Sequence, residues 1–386
     1  MRKHILLLPI LALFGACSTS NIQEGPLDKL SIQLDTVMID TGDDIIDLRS
    51  NLYNAQLSED NRYLYNLISY GDPSLEIIDL DELKLVRSSP LEKDGPNGIP
   101  QYLNKFYVTN TGDLLLLDYR FYKVFNLDGK VINDLALEKI APELLNGFDN
   151  YPNALIDYPN NPNKKILMIN NWQSMKYTLL QFDLTTKSFQ EISLNGLDKL
   201  NDYRTKIMIN GMDAGGMGSR AIASYGAEKI VISNDAFNEI QIYDMSKDTL
   251  YIKDLTTTLL GSKRSFIPPK EIERDAKLMN ELIKSVDEDL KYGKFIWDAA
   301  SKNFFRFSSK ENFNGEQNEN GRFISTSADV YLSIFDEDFN LLAEALIPEL
   351  NKAPSLHFIK DGKIWLFENM NDEVAFIRID LSENKL

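Results

Sequence analysis

A strand pattern that ends in Asp or Asn recurs along the chain. In each copy apolar residues alternate with polar ones, the acidic or amide residue follows, and an apolar residue usually comes next. Period-two alternation is typical of a β-strand with one buried face. Repetition about every 40–50 residues is typical of β-propeller blades. The pattern has six copies, whose polar residues are Asp79, Asn126, Asp183, Asp244, Asp336 and Asp380.

A more continuously apolar segment precedes every copy. Such segments indicate strands that are covered on both faces, as in the middle of stacked sheets. A strand candidate before each of these segments and, in most copies, another after the polar residue would make four-stranded units. The continuous segments are residues 63–69, 113–119, 165–171, 229–234, 303–308 and 363–368.

The sequence therefore predicts an all-β fold, a six-bladed β-propeller of four-stranded blades. Too few residues follow Asp380 to give the sixth blade a fourth strand, whereas residues 30–39 form an unassigned strand candidate. We expect this N-terminal strand to complete the last blade and close the ring, because closure protects sheet edges. A β-sandwich or a pair of barrels is the alternative architecture.

One interval of the repeat is long: Asp244 and Asp336 are 92 residues apart. Apolar residues recur at helical spacing between residues 268 and 293, which predicts one inserted helix of roughly 30 Å. The polar residues 311–322 predict a second, mobile insertion. The glycine-rich residues 211–218 predict a flexible loop between blades, because they lack the Lys-Ser/Thr ending of a phosphate-binding loop.

The first residues have the features of a secretion signal. Arg2 and Lys3 precede an apolar run too short to span a bilayer, and small residues lead to Cys17. This order predicts a signal peptide over residues 1–16, lipidation of Cys17, a tether over 17–28 and the propeller over 29–386. We expect a lipid-anchored protein of the cell envelope, on the outer membrane. A plain signal peptide cleaved near Ala16 is the alternative.

Composition narrows the chemistry further. The formal charge of −17 argues against nucleic-acid binding, because that needs Lys and Arg to neutralise phosphates. A single cysteine excludes disulfides and multi-cysteine metal sites. His357 lies between apolar neighbours, which predicts a core or strand histidine. We expect no cofactor. Residues 40–44 and 126–129 lack the spaced ligands of a known calcium loop, although a structural calcium elsewhere stays open.

Several motifs resemble one family of Bacteroidetes-type lipoproteins, the domain-of-unknown-function family 4221. They are the lipobox, the six copies, the turn at residues 95–98, the two prolines before the predicted helix and the aromatic segment at residues 296–308. The resemblance covers nearly the whole mature chain. It implies a TolB-like six-bladed propeller in the envelope, and it carries no catalytic residue over to this chain.

Polar and aromatic residues cluster where the continuous strands end and where one blade leads to the next. In propellers these segments lie on one face around the central channel. Aromatic rings mixed with amides, Arg and carboxylates suit an oligosaccharide or a peptide, although ordinary polar loop tips would look the same. The candidate ligand-binding residues are Asp94, Asn97, Asp118, Tyr119, Arg120, Asn171, Trp172, Arg220, Asn234, Asp235, Trp297 and Asp298, with Tyr102 beside them.

The sequence leaves three classes of function open. The first is a non-enzymatic module that binds a protein, peptide or glycan through this face. The second is an enzyme that acts on glycans with carboxylates, although the repeated Asp residues are more typical of turns that accept backbone N–H groups. The third is a structural subunit of an envelope complex.

Overall fold

The computed structural model describes residues 32–171 and 173–381. The predicted signal peptide, Cys17 and the tether lie outside the described residues, and so does Trp172. Processing, lipidation and location therefore stay predictions.

The described chain is all-β and contains six four-stranded antiparallel sheets, numbered here in chain order. The chain begins with β1 (Gln33–Met38). Sheet 1 has β2 (Gln56–Leu57), β3 (Tyr63–Ile68), β4 (Ser74–Asp79) and β5 (Lys84–Pro90). Sheet 2 has β6 (Lys105–Val108), β7 (Leu114–Asp118), β8 (Phe121–Phe125) and β9 (Val131–Asp134). Sheet 3 has β10 (Asn150–Tyr158), β11 (Asn161–Asn171), β12 (Tyr177–Asp183) and β13 (Ser188–Leu194).

The second half repeats this order after one insertion. Strands β14 (Arg204–Ile209) and β15 (Met212–Gly218) precede sheet 4, which has β16 (Ala221–Gly226), β17 (Lys229–Asn234), β18 (Glu239–Asp244) and β19 (Thr249–Asp254). Strand β20 (Glu271–Glu273) follows. Sheet 5 has β21 (Lys291–Asp298), β22 (Asn303–Gln317), β23 (Phe323–Phe335) and β24 (Leu341–Leu346). Sheet 6 has β25 (His357–Lys360), β26 (Lys363–Met370), β27 (Glu373–Asp380) and β1.

Burial follows the predicted strand pattern. All six residues of β17 are buried, as are the four leucines that begin β7, because neighbouring sheets cover these second strands on both faces. The fourth strand β5 alternates between half-buried and exposed residues, and four of the six residues of β19 are exposed, since the outer face of each strand meets water. These two strands therefore lie on the outside of their sheets.

The recurring Asp residues shape the third turn of their sheets. Asp244 Oδ1 accepts the backbone N–H groups of Ser246 and Lys247, both at 3.1 Å. Burial acts to raise the pKa of the Asp244 carboxyl, but hydrogen bonds from Ser246 and Lys247 outweigh it and hold the pKa at about 2. Asp79, Asp183 and Asp336 accept backbone N–H groups in the same way. The interpretation of these residues as turn acceptors is confirmed at these positions.

The apolar core of the described chain lies between consecutive sheets. Five buried clusters join sheets 1 and 2, 2 and 3, 3 and 4, 4 and 5, and 5 and 6. A further cluster packs Leu64 and Ile78 of sheet 1 with Trp365 and Phe376 of sheet 6. The N-terminal strand β1 pairs antiparallel with β27, from Gln33 opposite Asp380 to Met38 opposite Ala375. The first and last parts of the described chain are thus joined by both hydrogen bonds and packing.

The long interval differs from the sequence-based expectation. Helix α3 spans Ala276–Asp287 and not residues 268–293, because the Asp275 side chain caps it by accepting the Leu278 N–H at 2.9 Å. Residues Glu271–Glu273 instead pair in parallel with β14. With β15 they form a separate three-stranded sheet. The expectation that residues 211–218 form a loop is therefore wrong, since their backbone groups pair with β14.

Residues 311–322 also differ from the sequence-based expectation, which was a mobile insertion. Strands β22 and β23 continue through it as one long hairpin, because they pair from Phe304 opposite Phe335 to Gln317 opposite Phe323, with register shifts after Asn312 and Phe313. Helix α3 packs beside this hairpin, with Lys284 Nζ 5.6 Å from the ring centres of Phe313 and Phe323. The connection between sheets 2 and 3 adds two four-residue helices, α1 (Leu137–Ile140) and α2 (Pro142–Leu145). A 3₁₀ helix at Leu197–Tyr203 precedes β14.

Candidate functional site

An open cleft lies where sheets 1, 2 and 3 present the ends of their second strands. We call this end of the sheets the loop face, and the cleft, with a volume of about 510 Å³, the aromatic cleft. Its walls come from the turn after β3, the segment before β6, the end of β7 and the start of β10. The lining residues are Ser69, Tyr70, Gln101, Tyr102, Leu103, Asn104, Asp118, Tyr119 and Tyr151.

Aromatic rings dominate the surface of this cleft. Tyr70 and Tyr102 are in contact at 5.8 Å between ring centres, and they are 56% and 73% exposed. Tyr119 meets Tyr151 edge to face at 5.6 Å and Phe148 at 5.3 Å. Exposed tyrosines held in contact offer apolar faces and hydroxyl groups with little freedom left to lose on binding. The cleft is therefore pre-organised for a flat, partly polar ligand.

Polar groups between the rings have defined partners. Asp118 Oδ1 accepts the Tyr119 N–H at 2.8 Å, and burial raises the pKa of the Asp118 carboxyl. The Tyr151 hydroxyl donates to Asn104 Oδ1, and the Asn104 amide donates to the Pro152 carbonyl. Arg120 places its guanidinium 4.5 Å from the centre of the Phe148 ring, a cation–π contact at the rim. The floor of the cleft is thus fixed, and one acidic group faces into it.

A small cationic recess adjoins the cleft on the far side of Tyr151. It has a volume of about 20 Å³ and is lined by Arg204, Arg220, Asn170 and the backbone of residues 216–219. Gly216 and Gly218 are required here, because a Cβ atom would lie 2.8 Å from the Thr205 carbonyl and 2.4 Å from the Tyr203 carbonyl. Burial raises the pKa of the Tyr151 hydroxyl, and the positive charge of Arg220 opposes that shift. Arg220 therefore lies close enough to Tyr151 for its charge to favour the ionised hydroxyl.

Some of the candidate residues that the sequence predicted lie at the aromatic cleft, and others lie elsewhere. Tyr102, Asp118 and Tyr119 line the cleft, Arg120 lies at its rim, and Arg220 lines the adjoining recess. Asn171 serves its own turn instead, because its Oδ1 accepts the N–H groups of Gln173 and Ser174. Trp172 lies outside the described residues.

Asn97 and Asn234 are structural side chains. Asn97 Oδ1 accepts the Val131 N–H at 3.1 Å and its amide faces Glu92, so Asn97 joins its turn to β9. Asp94 belongs to the same exposed turn and does not line the cleft. Asn234 is 1% exposed, and its Oδ1 accepts the N–H groups of Ala236 and Phe237.

Asp235, Trp297 and Asp298 also lie away from the cleft. Asp235 Oδ2 is 3.9 Å from Arg264 Nη1, a partner from the insertion after sheet 4. Trp297 packs on Phe304 at 4.6 Å, and Asp298 pairs with Asn303 at the first turn of sheet 5. That turn is at the opposite end of the sheet from the point where the second strand ends. The strand direction therefore excludes Trp297 and Asp298 from the loop face.

Sequence reasoning missed Tyr70, Phe148, Tyr151 and Arg204. Tyr70 directly follows the first continuous segment, so its position in the repeat is the signal that could have found it. Tyr151 and Arg204 begin strands, and nothing in their local sequence marks them. Within residues 32–171 and 173–381, no group of three or more His, Cys, Asp or Glu side chains is placed to hold a metal ion. None of the helices in these residues is long and apolar enough to cross a membrane.

Solved structures of other proteins are similar to most of this chain. A crystal structure of a DUF4221 family member from Bacteroides vulgatus is similar, with a TM-score of 0.63 at 13% identity over 91% of this chain and 98% of that chain. The Dos1 propeller has a TM-score of 0.39 at 12% identity over 86% and 77% of the two chains. A gluconolactonase from Xanthomonas campestris has a TM-score of 0.43 at 10% identity over 89% and 97%. No match to a curated protein was found.

The sequence itself matches a family model over most of its length. That model, described as a domain of unknown function, covers residues 28–346 and therefore sheets 1 to 5 with the strand β1. The match agrees with the resemblance carried by the sequence motifs and with the fold shared with the B. vulgatus protein. The chain belongs to the DUF4221 family.

Proposed function

We propose that this protein is a carbohydrate-binding lipoprotein of the cell envelope, and that it holds a glycan in the aromatic cleft. The observation that carries the proposal is the set of contacting tyrosines around Asp118, Asn104 and Arg120. Sugar rings have apolar C–H faces edged by hydroxyl groups. Tyrosine rings cover such faces, while a carboxylate, an amide and a guanidinium bind the hydroxyls.

The scaffold of this binding site is a closed six-bladed propeller. The support is the pairing of β1 with β27 and the apolar cluster between sheets 6 and 1, which repeats the packing between the other sheets. A closed ring holds three neighbouring sheets at fixed angles. The cleft spans those three sheets, so its shape depends on the ring.

Replacing Tyr102 or Tyr119 by Ala weakens glycan binding about fivefold each, because each change removes one stacking face worth roughly 1 kcal/mol. A glycan array screened with the mature domain identifies the probe, and titration calorimetry gives Kd for the wild type and the variants. Tyr102→Phe keeps most of the affinity, since it keeps the ring.

The matched control is Tyr251→Ala, which removes a 38% exposed tyrosine from the outer strand β19. It leaves Kd unchanged. Equal losses in all three Ala variants, or an array that shows no bound glycan while an extended peptide binds the same cleft, would contradict the proposal.

The envelope location rests on Cys17, the only cysteine of the chain. Cys17→Ser moves the protein from the membrane fraction to the soluble fraction and abolishes incorporation of a labelled fatty acid. The physical reason is that two or more acyl chains on one residue anchor a protein stably, whereas the unlipidated domain lacks that anchor. Cell fractionation with Ser18→Ala as the matched control measures the effect. A Cys17→Ser protein that stays in the membrane fraction would show a different anchor.

A further inference from the structure

Two lysines of sheets 2 and 5 lie inside the fold without a counter-ion. Lys105 begins β6 and Lys294 lies in β21, the first strands of their sheets. Among the described residues neither side chain has a hydrogen bond or an ion pair, although the protein has 58 acidic residues. Both residues are half-buried, so each keeps some contact with solvent. Unpaired lysines inside a protein are costly, so these two lysines do not stabilise the fold.

The two lysines occupy equivalent places in the fold, because each lies in the first strand of its sheet. Burial lowers the pKa of both lysines, and the charge of Lys105 contributes to lowering the pKa of Lys294 to about 8. In a six-membered ring, sheets 2 and 5 are opposite, and their first strands line the centre. Two positive charges at the centre of the ring create a positive electrostatic potential there, which favours binding of a negative group.

A β-bulge in β21 contains Lys294. Tyr292 pairs with Ser308 and Phe295 with Arg306, so Gly293 and Lys294 together oppose Phe307. Only glycine fits at 293, because a Cβ atom there would lie 2.4 Å from the Phe307 carbonyl oxygen. Tyr292 and Phe295 consequently pack on the same face of the sheet, beside Arg306. The bulge leaves Lys294 free of that apolar layer.

His357 adds a third unpartnered polar atom. The residue is 5% exposed, its Nδ1 lies 3.0 Å from the Ser355 carbonyl, and its Nε2 has no partner in the described chain. Burial and then the charge of Lys294 lower the pKa of the imidazole to about 3, so the ring is neutral. With Nδ1–H donating to Ser355, Nε2 is an acceptor that suits a hydroxyl group.

The aromatic cleft borders the start of β6, where Lys105 lies. Asn104 lines the cleft and immediately precedes Lys105 in the chain. We propose that the central lysine pair, Lys105 and Lys294, binds the anionic group of an acidic sugar whose neighbouring rings occupy the aromatic cleft, with His357 Nε2 accepting a hydroxyl. The inference rests on the proposed function and narrows its ligand to glycans with carboxylate or sulfate groups. The shared chemistry is an oxyanion held between two ammonium groups.

Oligosaccharides with and without charge test this site. The probes are a hexuronate oligomer, the same oligomer with its carboxyl groups reduced to alcohols, and a sulfated oligomer of neutral sugar. We expect the wild type to bind at least one charged oligomer ten times or more tightly than the reduced one, with an affinity that falls as salt rises. The preference for hexuronate or sulfate identifies the source of the oxyanion.

Lys105→Met and Lys294→Met each remove that preference while the apo protein keeps or raises its Tm, because each change removes an unpaired charge from the interior. Lys277→Met, on the exposed side of α3, is the matched control and leaves both readouts unchanged. In NMR titrations, the Lys294 amine titrates at a higher pH when the charged oligomer is bound. Equal affinity for charged and reduced oligomers, or unchanged preference in both Met variants, overturns the inference.

The test separates this inference from the proposed function. If reduced and charged oligomers bind equally and Tyr119→Ala weakens both, glycan binding stands and the anion site fails. If no oligomer binds but inorganic sulfate raises the Lys294 pKa and Lys105→Met abolishes that rise, the oxyanion site stands and glycan binding fails.

Discussion

A chain that begins at Asp40, and so lacks β1, loses more than about 5 kcal/mol of its free energy of unfolding or fails to stay monomeric. The deletion removes six residues that pair with β27. It also removes Ile39, which is 4% exposed in the cluster between sheets 6 and 1. Each buried aliphatic side chain contributes roughly 1.5–3 kcal/mol, and the unpaired edge of β27 would join other chains. Urea unfolding and light scattering measure the two effects.

A chain that begins at residue 29 is the matched control, because it lacks the tether but keeps β1. It unfolds at the same urea concentration as the mature protein. A synthetic peptide of residues 29–40, added to the shortened chain, restores the monomer and raises Tm. A shortened chain as stable as the control would refute closure of the ring by the N-terminal strand.

Replacing Arg306 by Ala lowers the free energy of unfolding by about 4 kcal/mol, whereas Arg306→Met costs less than about 2 kcal/mol. The guanidinium of Arg306 is buried between sheets 4 and 5, where Nη1 donates to Asn238 Oδ1 at 2.8 Å. It lies 5.1 Å from the ring centre of Tyr292 and 5.2 Å from that of Phe295. Both substitutions remove the donor to Asn238 Oδ1. Alanine also leaves a cavity, whereas methionine fills the space without a charge to desolvate.

The control for this pair is Arg87→Ala, which removes an exposed ion pair with Asp128 and costs less than about 1 kcal/mol. Chemical unfolding of the four proteins under one condition gives the differences. If Met is as damaging as Ala, the charge and its cation–π contacts stabilise the fold, and the packing argument is wrong.

The strand order of the molecule could be predicted because each strand carries its own signal. The four leucines of β7 and the alternating residues of β5 show in the sequence which strand is central and which is outer. The inserted sheet could not be predicted in the same way. Its strands β14 and β20 are about 60 residues apart and pair in parallel, so no local turn or periodicity links them.

The candidate site was only partly accessible from sequence. Asp118 and Tyr119 follow a continuous strand, and their position in the repeat placed them correctly on the loop face. Trp297 and Asp298 have the same mixture of residue types but end a first strand, at the other end of sheet 5. Residue type suggested a binding role for all four residues. The direction of each strand decided whether the residue lies on the loop face or at the opposite end of its sheet.

The sequence by itself determined the six strand units and the turn-forming Asp residues, because these depend on neighbours in the chain. The tertiary structure decided which side chains meet. Tyr70, Tyr119 and Tyr151 come from three different sheets and line one cleft. Such contacts depend on the angle between neighbouring sheets and on which sheets pack together. A local sequence pattern predicts neither of these.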